Sequence, residues 1–381
     1  MLNNKNICVP ILLFVLFFSI FGNFCLAETN NDNPRSRDVI FKAKVLAVLE
    51  EKEKETEDGR NVRQQNLKLL GLEKEFKNKE IIFEGIGNIE IVGEKLYKEG
   101  EKLLILASFN SIDNSYTYYV YDYLRSGPLF FMVGFFLLIL FLVGKWKGLR
   151  AVFSLFFTFL IIILYIVPKI LDGADPVFVT LLGSFFILFF IIYMTEGFNA
   201  KSHIAALSTF ISLLLVAAVS WLFIYFGKLS GAFNEDVFIL LNIGQNVVNF
   251  KGLLLAGIII GTLGVVDDVI ISQVATAEQI IESNPHQGWQ EVFKKSYKVG
   301  ISHISSMTNT LFLAYAGASL PLLILFISPE NPFSSFEQII SNEAISTEII
   351  RALSGSIGIV LSVPLSTFLA SWWFVRQKRK T

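Results

Sequence analysis

The sequence predicts a polytopic α-helical membrane protein, with about seven spans after a signal peptide or N-terminal helix, carrying a small extracytoplasmic β-rich domain, OB-like or sandwich. Three observations predict it. Of 381 residues, 53 % are hydrophobic and only 17 % are charged, with 37 phenylalanines; soluble domains carry about 25 % charge. The charges crowd into residues 28–125. The remainder is a series of apolar runs long enough to cross a bilayer. This pattern excludes a soluble globular domain and a disordered chain. With 32 basic and 33 acidic residues there is no basic surplus for nucleic-acid binding.

Residues 1–27 read as a secretory signal peptide, with an uncleaved N-terminal helix as the alternative. Lys5 supplies the positive start, 9–22 the apolar stretch, and Cys25-Leu26-Ala27 the small residues before Glu28. Bulky Phe24 ahead of Cys25 argues against a lipid-modified cysteine. Either reading puts the following segment outside the cytoplasm. Cys8 and Cys25 are the only cysteines. Without them no disulfide and no cysteine-held metal is expected.

Residues 28–125 form the expected extracytoplasmic domain. Segments 39–50, 80–86, 102–109 and 116–124 are β-branched or aromatic with partial alternation, and five or six short strands are expected. The charged run Glu50–Asp58 reads as a solvated hairpin loop. The tyrosines of 116–123 read as strand core plus an aromatic belt at the membrane surface, with a ligand-stacking platform as the alternative.

Residues 126–381 form the membrane part, with spans near 128–144, 151–168, 176–194, 204–226, 252–272, 304–328 and 352–375. Each must be helical, because lipid offers the backbone no hydrogen-bond partners. Lys and Arg then orient the chain. Eleven fall in the loops and tail expected inside, against four outside (Lys169, Lys228, Lys251 and Arg351). The soluble domain is thus expected outside and the C-terminus in the cytoplasm. Residues 237–250 are too short to cross. Their Asn242, Gln245, Asn246 and Asn249 share one helical face, as an interfacial helix or a re-entrant one would have. Segment 273–303 is expected on the cytoplasmic side, with an amphipathic helix over 287–303. Glu196 and His203 are expected to be solvated at an inner loop.

The richest stretch is 252–317. Gly257, Gly261, Gly264, Asp268, Ser272 and Ala275 follow helical spacing and form one stripe. Small residues in such a stripe let a neighbouring helix approach, so Asp268 is expected to point into a helix-packing seam. Asp267 lies about 100° around the same helix. Carboxylates at hydrocarbon depth are costly and mark a candidate proton or cation site. The alternative is a pair of interfacial acids bonded to the next helix. His303 and Asn309 open the following span and are candidate cross-helix partners. No HExxH, no GxSxG and no phosphate-binding loop is present, so no metal site, no cofactor and no enzymatic activity are expected.

The segments GLLLAGIIIGTLGVVDDVIISQ (252–273) and VGISHISSMTNTLFLAYAGASLPLLILF (299–326) resemble the YibE/F family of bacterial multi-pass membrane proteins. The likeness is specific over about 250–326 and looser over the other spans and the β-rich segment ending in YDYLRSGPL. An Arg-Asp pair often precedes the histidine in that family, whereas Ile301 and Ser302 stand here. The resemblance implies a bacterial inner-membrane location, a transport role, and a possible paralogous membrane partner or homo-oligomer besides the lipid bilayer. A fainter similarity is to resistance-nodulation-division proteins, where acids on a glycine-bearing helix couple proton flow to work. The sequence-based expectation is a secondary permease or proton/cation-coupled transport component of unknown substrate. A non-transporting scaffold or envelope-assembly factor acting through the outer domain is the alternative.

Overall fold

The computed structural model describes residues 38–55, 61–86, 96–110, 114–232, 248–328 and 333–378. The signal segment 1–27, with Cys8 and Cys25, lies outside the described residues. So do Asn242, Gln245 and Asn246 of the 237–250 face. The chain divides into two compact units between Leu142 and Val143.

The first unit holds a β half-barrel. Its strands are β1 (Val39–Glu55), β2 (Asn61–Gly71), β3 (Glu80–Glu84), β4 (Lys102–Asn110) and β5 (Ser115–Tyr123). They form one antiparallel sheet in the order β3-β2-β1-β4-β5. It is a single curled sheet, so the two-sheet sandwich alternative does not apply. Alternation explains it: Phe41, Ala43, Val45, Leu67, Leu69, Ile81, Phe83, Leu103, Ile105 and Ala107 all point to one buried face. β1 bends at register shifts after Val45 and Val48, which lets one long strand serve both halves of the sheet.

The helical turn Lys74–Phe76 packs its Phe76 into the core of the half-barrel. Phe76 stacks on Phe41 at 4.3 Å between centroids, and Tyr116 meets Phe76 edge-on at 5.4 Å. Elsewhere the buried amide of Gln65 holds the backbone of Tyr97 at two points. Tyr97 N donates to Oε1 at 2.8 Å, and Nε2 donates to the Tyr97 carbonyl at 3.4 Å.

Two features differ from the sequence reading. β2 lies outside the expected strand windows. The acidic run is also more than a loop: β1 continues to Glu55, paired with β2, and Arg63 bridges Glu51 at 3.9 Å and Glu53 at 2.5 Å. Tyr116 and Tyr118 turn toward the core, while Tyr119 and Tyr121 face outward and are exposed.

The helices are α1 (Ser126–Ile161), α2 (Val167–Leu171), α3 (Pro176–Glu196), α4 (Ala200–Phe226), α5 (Phe250–Ser283), α6 (Trp289–Ala318), α7 (Leu320–Ile327), α8 (Phe336–Ile340) and α9 (Glu343–Lys378). A π-helical turn, Ile162–Ile166, joins α1 to α2. Asp175 caps α3 ahead of Pro176, Asn199 caps α4, and Asn249 caps α5, each accepting from a backbone N–H three residues on.

Among the described residues, five helical stretches are long and apolar enough to cross a membrane, and α6 with α7, bent by 67°, makes a sixth if taken as one span. The chain is therefore a helical membrane protein. The windows 128–144 and 151–168 fall in a single stretch, Ser126–Leu171, interrupted only at Lys145 (φ 47°, ψ −129°). Segment 287–303 is not a separate helix. It is the first half of α6, because no proline interrupts Trp289–Ala318 and its two glycines, Gly300 and Gly317, are each tolerated in a helix. Arg351, counted above with an outer loop, lies within α9.

α5 is the hub of the second unit, packed by α3, α4, α6 and α9. Its buried Val266, Val269, Ile270 and Val274 belong to the main core, with Ile187, Ile204, Leu213, Ile359 and Val363.

Candidate functional site

The site residues read from the sequence sit on α5 and α6. Gly257, Gly261, Gly264 and Asp268 do share one stripe of α5, but that stripe is exposed. A methyl group added at Gly257 or Gly264 would meet nothing within 4 Å, and at Gly261 only the Tyr315 hydroxyl at 3.0 Å. The expected seam is therefore corrected: within one chain the glycines line an open face. The neighbouring helices press instead on the larger side chains of α5, including Ile258, Ile259 and Val266. Close helix approach occurs at other glycines. A Cβ on Gly355 would lie 2.9 Å from Leu311 Cδ2, and one on Gly183 would lie 2.6 Å from Ile166.

The two acids are buried in the reverse of the expected order. Asp267 is only 3 % exposed, and its Oδ1 has no hydrogen-bond partner among the described residues. Asp268, one residue on, lies on the exposed face. The other acidic group that acts on Asp267 is Glu196, at the end of α3. Glu196 is ion-paired with Lys201 at 2.8 Å, both side chains being mostly buried, so it is not simply solvated. His203 shares a 2.7 Å hydrogen bond with the Tyr193 hydroxyl.

His303 is half-buried and Asn309 exposed, both on α6. Among the described residues neither is hydrogen-bonded to Asp267 or Asp268. The structure thus brings together Asp267, Asp268, Glu196 and Lys201, and does not add His303 or Asn309. No set of three His, Cys, Asp or Glu among the described residues is arranged to hold a metal.

A second polar junction lies further along α5. The fully buried Gln273 donates from Nε2 to the Ser296 carbonyl of α6 at 2.7 Å and to Thr367 Oγ1 of α9 at 2.8 Å. One amide therefore ties three helices. Gly300 makes room for it, since a Cβ there would lie 3.0 Å from Gln273 Oε1. The glutamine stood in the sequence at the end of an apolar run. An amide so placed needs cross-helix partners, and that was the available signal.

Such an arrangement can hold and release a proton or small cation. Asp267 offers an unoccupied carboxylate oxygen inside an apolar bundle, with a second acid on the next residue. An ion pair, Glu196–Lys201, stands at the neighbouring helix end.

No curated protein and no solved structure matches the chain. The family model described as YibE/F-like protein matches residues 132–376. The match begins within α1, ends within α9 and takes in both acids and the Gln273 junction. By this match over most of its length, the chain belongs to the YibE/F-like protein family.

Proposed function

We propose that this protein is a secondary permease, or a proton- or cation-coupled transport component, of a bacterial cytoplasmic membrane. Asp267 is the carrier group in this reading and Asp268 its assistant. The observation that supports it is the 3 % exposed carboxylate of Asp267, whose Oδ1 has no hydrogen-bond partner among the described residues. A fold that keeps such a group at hydrocarbon depth sacrifices stability there, which favours a functional reason.

The reading takes the topology as seven spans with the half-barrel outside and the C-terminus inside. The 46-residue stretch Ser126–Leu171 would be about 69 Å long as a straight helix, over twice a hydrocarbon core of about 30 Å. Two spans meeting at Lys145 fit that length. With the bent α6–α7 pair counted once, the total is seven. The open face of α5 would suit a second copy or a paralogous membrane chain. No enzymatic step and no cofactor is assigned.

The test uses proteoliposomes loaded with a pH dye, under an imposed membrane potential. Wild type is expected to move protons faster than empty vesicles. Asp267→Asn is expected to abolish this while inserting normally, and Asp268→Asn to reduce it in part. Full flux through Asp267→Asn would remove that residue from the mechanism.

The scaffold reading draws on one observation of its own. Across the outer face of the sheet, Ile40, Leu106 and Tyr119 are in register, with Ile40 and Tyr119 exposed beside Tyr121. Under it, vesicles show no flux, and Tyr119→Ser with Tyr121→Ser loses a partner protein that wild type recovers.

A further inference from the structure

α5 and α9 run parallel and in register. A Cβ on Gly355 would lie 3.3 Å from Thr262 Oγ1, and Gln273 bonds Thr367 about three turns further along both helices. Arg351, four residues before Gly355, is therefore level with Ile258. That places it eight residues, or about 12 Å, beyond the start of α5. A guanidinium at that depth is permanently charged and carries five donors in a rigid fork.

The fold meets only part of that demand. Glu348, one turn back on α9, takes Nη1 at 3.0 Å and 3.4 Å. The Nε of Arg351 is buried with no acceptor among the described residues. On the same stripe of α9 lie Thr347 and Ser354, four residues before and three after, which are 0 % and 1 % exposed. Both hydroxyls also lack a partner among the described residues. Across from them is α4. A Cβ on Gly227 would meet Ile350 at 3.3 Å, and Val216 abuts Gly358, so these two contacts bracket the antiparallel α4–α9 pair. Ser220 falls between them, level with Ser354, and its buried Oγ is unpartnered as well.

We propose that Arg351, with Thr347, Ser354 and Ser220, forms an oxyanion-binding site in the half of the bundle that holds the start of α5, taking a phosphate- or carboxylate-bearing group. Every unpartnered group there can donate a hydrogen bond, and Arg351 can do nothing else. Such a set is complementary to a charged acceptor with several oxygens. Glu348 is an internal stand-in: its carboxylate occupies one arm of the fork, and an incoming oxyanion competes with it. The site is separate from Asp267, about nine residues further along α5 from the level of Arg351, and does not depend on the transport reading.

The test uses the full chain in phosphatidylcholine nanodiscs. Inorganic phosphate is titrated by calorimetry against chloride at equal ionic strength. Wild type is expected to bind phosphate saturably. Glu348→Gln, which frees the fork, is expected to bind about ten-fold tighter. The double variant Arg351→Gln/Glu348→Gln keeps the charge balanced and is expected to bind none. Arg351→Lys keeps the charge but loses the fork, and is expected to weaken binding about ten-fold.

A second set of nanodiscs contains phosphatidylglycerol. If a lipid headgroup is the natural source, that lipid displaces free phosphate and stays with the wild type, but not the double variant, in native mass spectrometry. If a soluble solute is the source, phosphate binding is the same in both lipids. Either result supports the site. Equal phosphate binding by wild type and the double variant overturns it, as does the absence of both phosphate and lipid binding in wild type and Glu348→Gln.

Discussion

Asp267 and Asp268 are consecutive residues of α5, yet the first is enclosed by the bundle and the second lies on its open face. A rotation of about 100° per residue separates them. The same chemical group therefore carries a larger desolvation cost at the first position than at the second. Asp267→Asn is expected to raise thermal stability, by about 1–3 kcal/mol, because an uncompensated buried acceptor becomes a neutral amide. Asp268→Asn is expected to raise it less. Melting of the two variants in nanodiscs checks the contrast, and equal shifts would remove it.

The junction at Gln273 predicts a different sensitivity. Gly300→Ala puts a methyl group against Val363 and the Gln273 amide. Overpacking of this kind costs about 1–3 kcal/mol. A drop in melting temperature, with secondary structure retained, is the expected reading by circular dichroism.

Gly257→Ala and Gly264→Ala are expected to be neutral or stabilising in the isolated chain. Nothing lies within 4 Å of the added methyl groups. Alanine also gains about 1 kcal/mol over glycine in a helix interior. The same variants screened by crosslinking report whether another chain covers this face. Loss of a crosslinked species with unchanged melting would assign the stripe to an intermolecular contact.

In the half-barrel, Gln65→Leu strands both the N–H and the carbonyl of Tyr97. The expected cost is about 1–3 kcal/mol per unpaired buried group. Hydrogen exchange at residues 96–98 is the direct measurement, with faster exchange expected in the variant.

The same domain has an alkaline limit. The phenols of Tyr97, Tyr118 and Tyr123 are held above their ordinary value of 10.0, chiefly by burial. The unfolded chain then loses these protons first. The stabilising contribution is complete below about pH 10 and falls as pH rises toward the raised values. Tyrosinate absorbance at 295 nm, followed alongside strand circular dichroism, is expected to show late ionisation and loss of the sheet together. Phenylalanine at all three positions is expected to flatten the dependence.

How far the fold was readable from sequence differs by element. β1 and β3 announce themselves because Phe41, Ala43 and Val45, and Ile81 and Phe83, alternate with exposed residues, and β4 because Leu103–Leu106 is a short apolar run. β2 opens on Asn61-Val62-Arg63-Gln64-Gln65-Asn66, polar letters that resemble a loop. Gln65 is buried because its partner is the backbone of Tyr97, 32 residues away, which no local window contains.

In the membrane part the apolar windows fall on helices, but the boundary drawn at His303 vanished, since hydrophobicity changes there without any helix-breaking residue. Asp267 and Asp268 lie on one helix, and it is Asp267, not Asp268, that the bundle encloses. Spacing shows that Gly257, Gly261, Gly264 and Asp268 share a face; it does not show whether a neighbour covers it. Glu196 ends α3, which packs on α5, and its partner Lys201 begins α4; both helices meet α5 only through contacts between distant parts of the chain.

The central position of β1 has a consequence for the order of assembly. Val39, near the beginning of the first strand, pairs with Ala107, while the opposite side of β1 pairs with β2 directly after it in the chain. During synthesis the β1–β2–β3 meander can form early, leaving one side of β1 without its neighbour until β4 has emerged. The last strand ends at Tyr123, three residues before the first apolar helix begins at Ser126. The half-barrel must therefore complete its last pairing at about the moment when the first apolar helix of the described residues leaves the ribosome, so a pause in translation soon after β5 would give the sheet time to close before that helix follows.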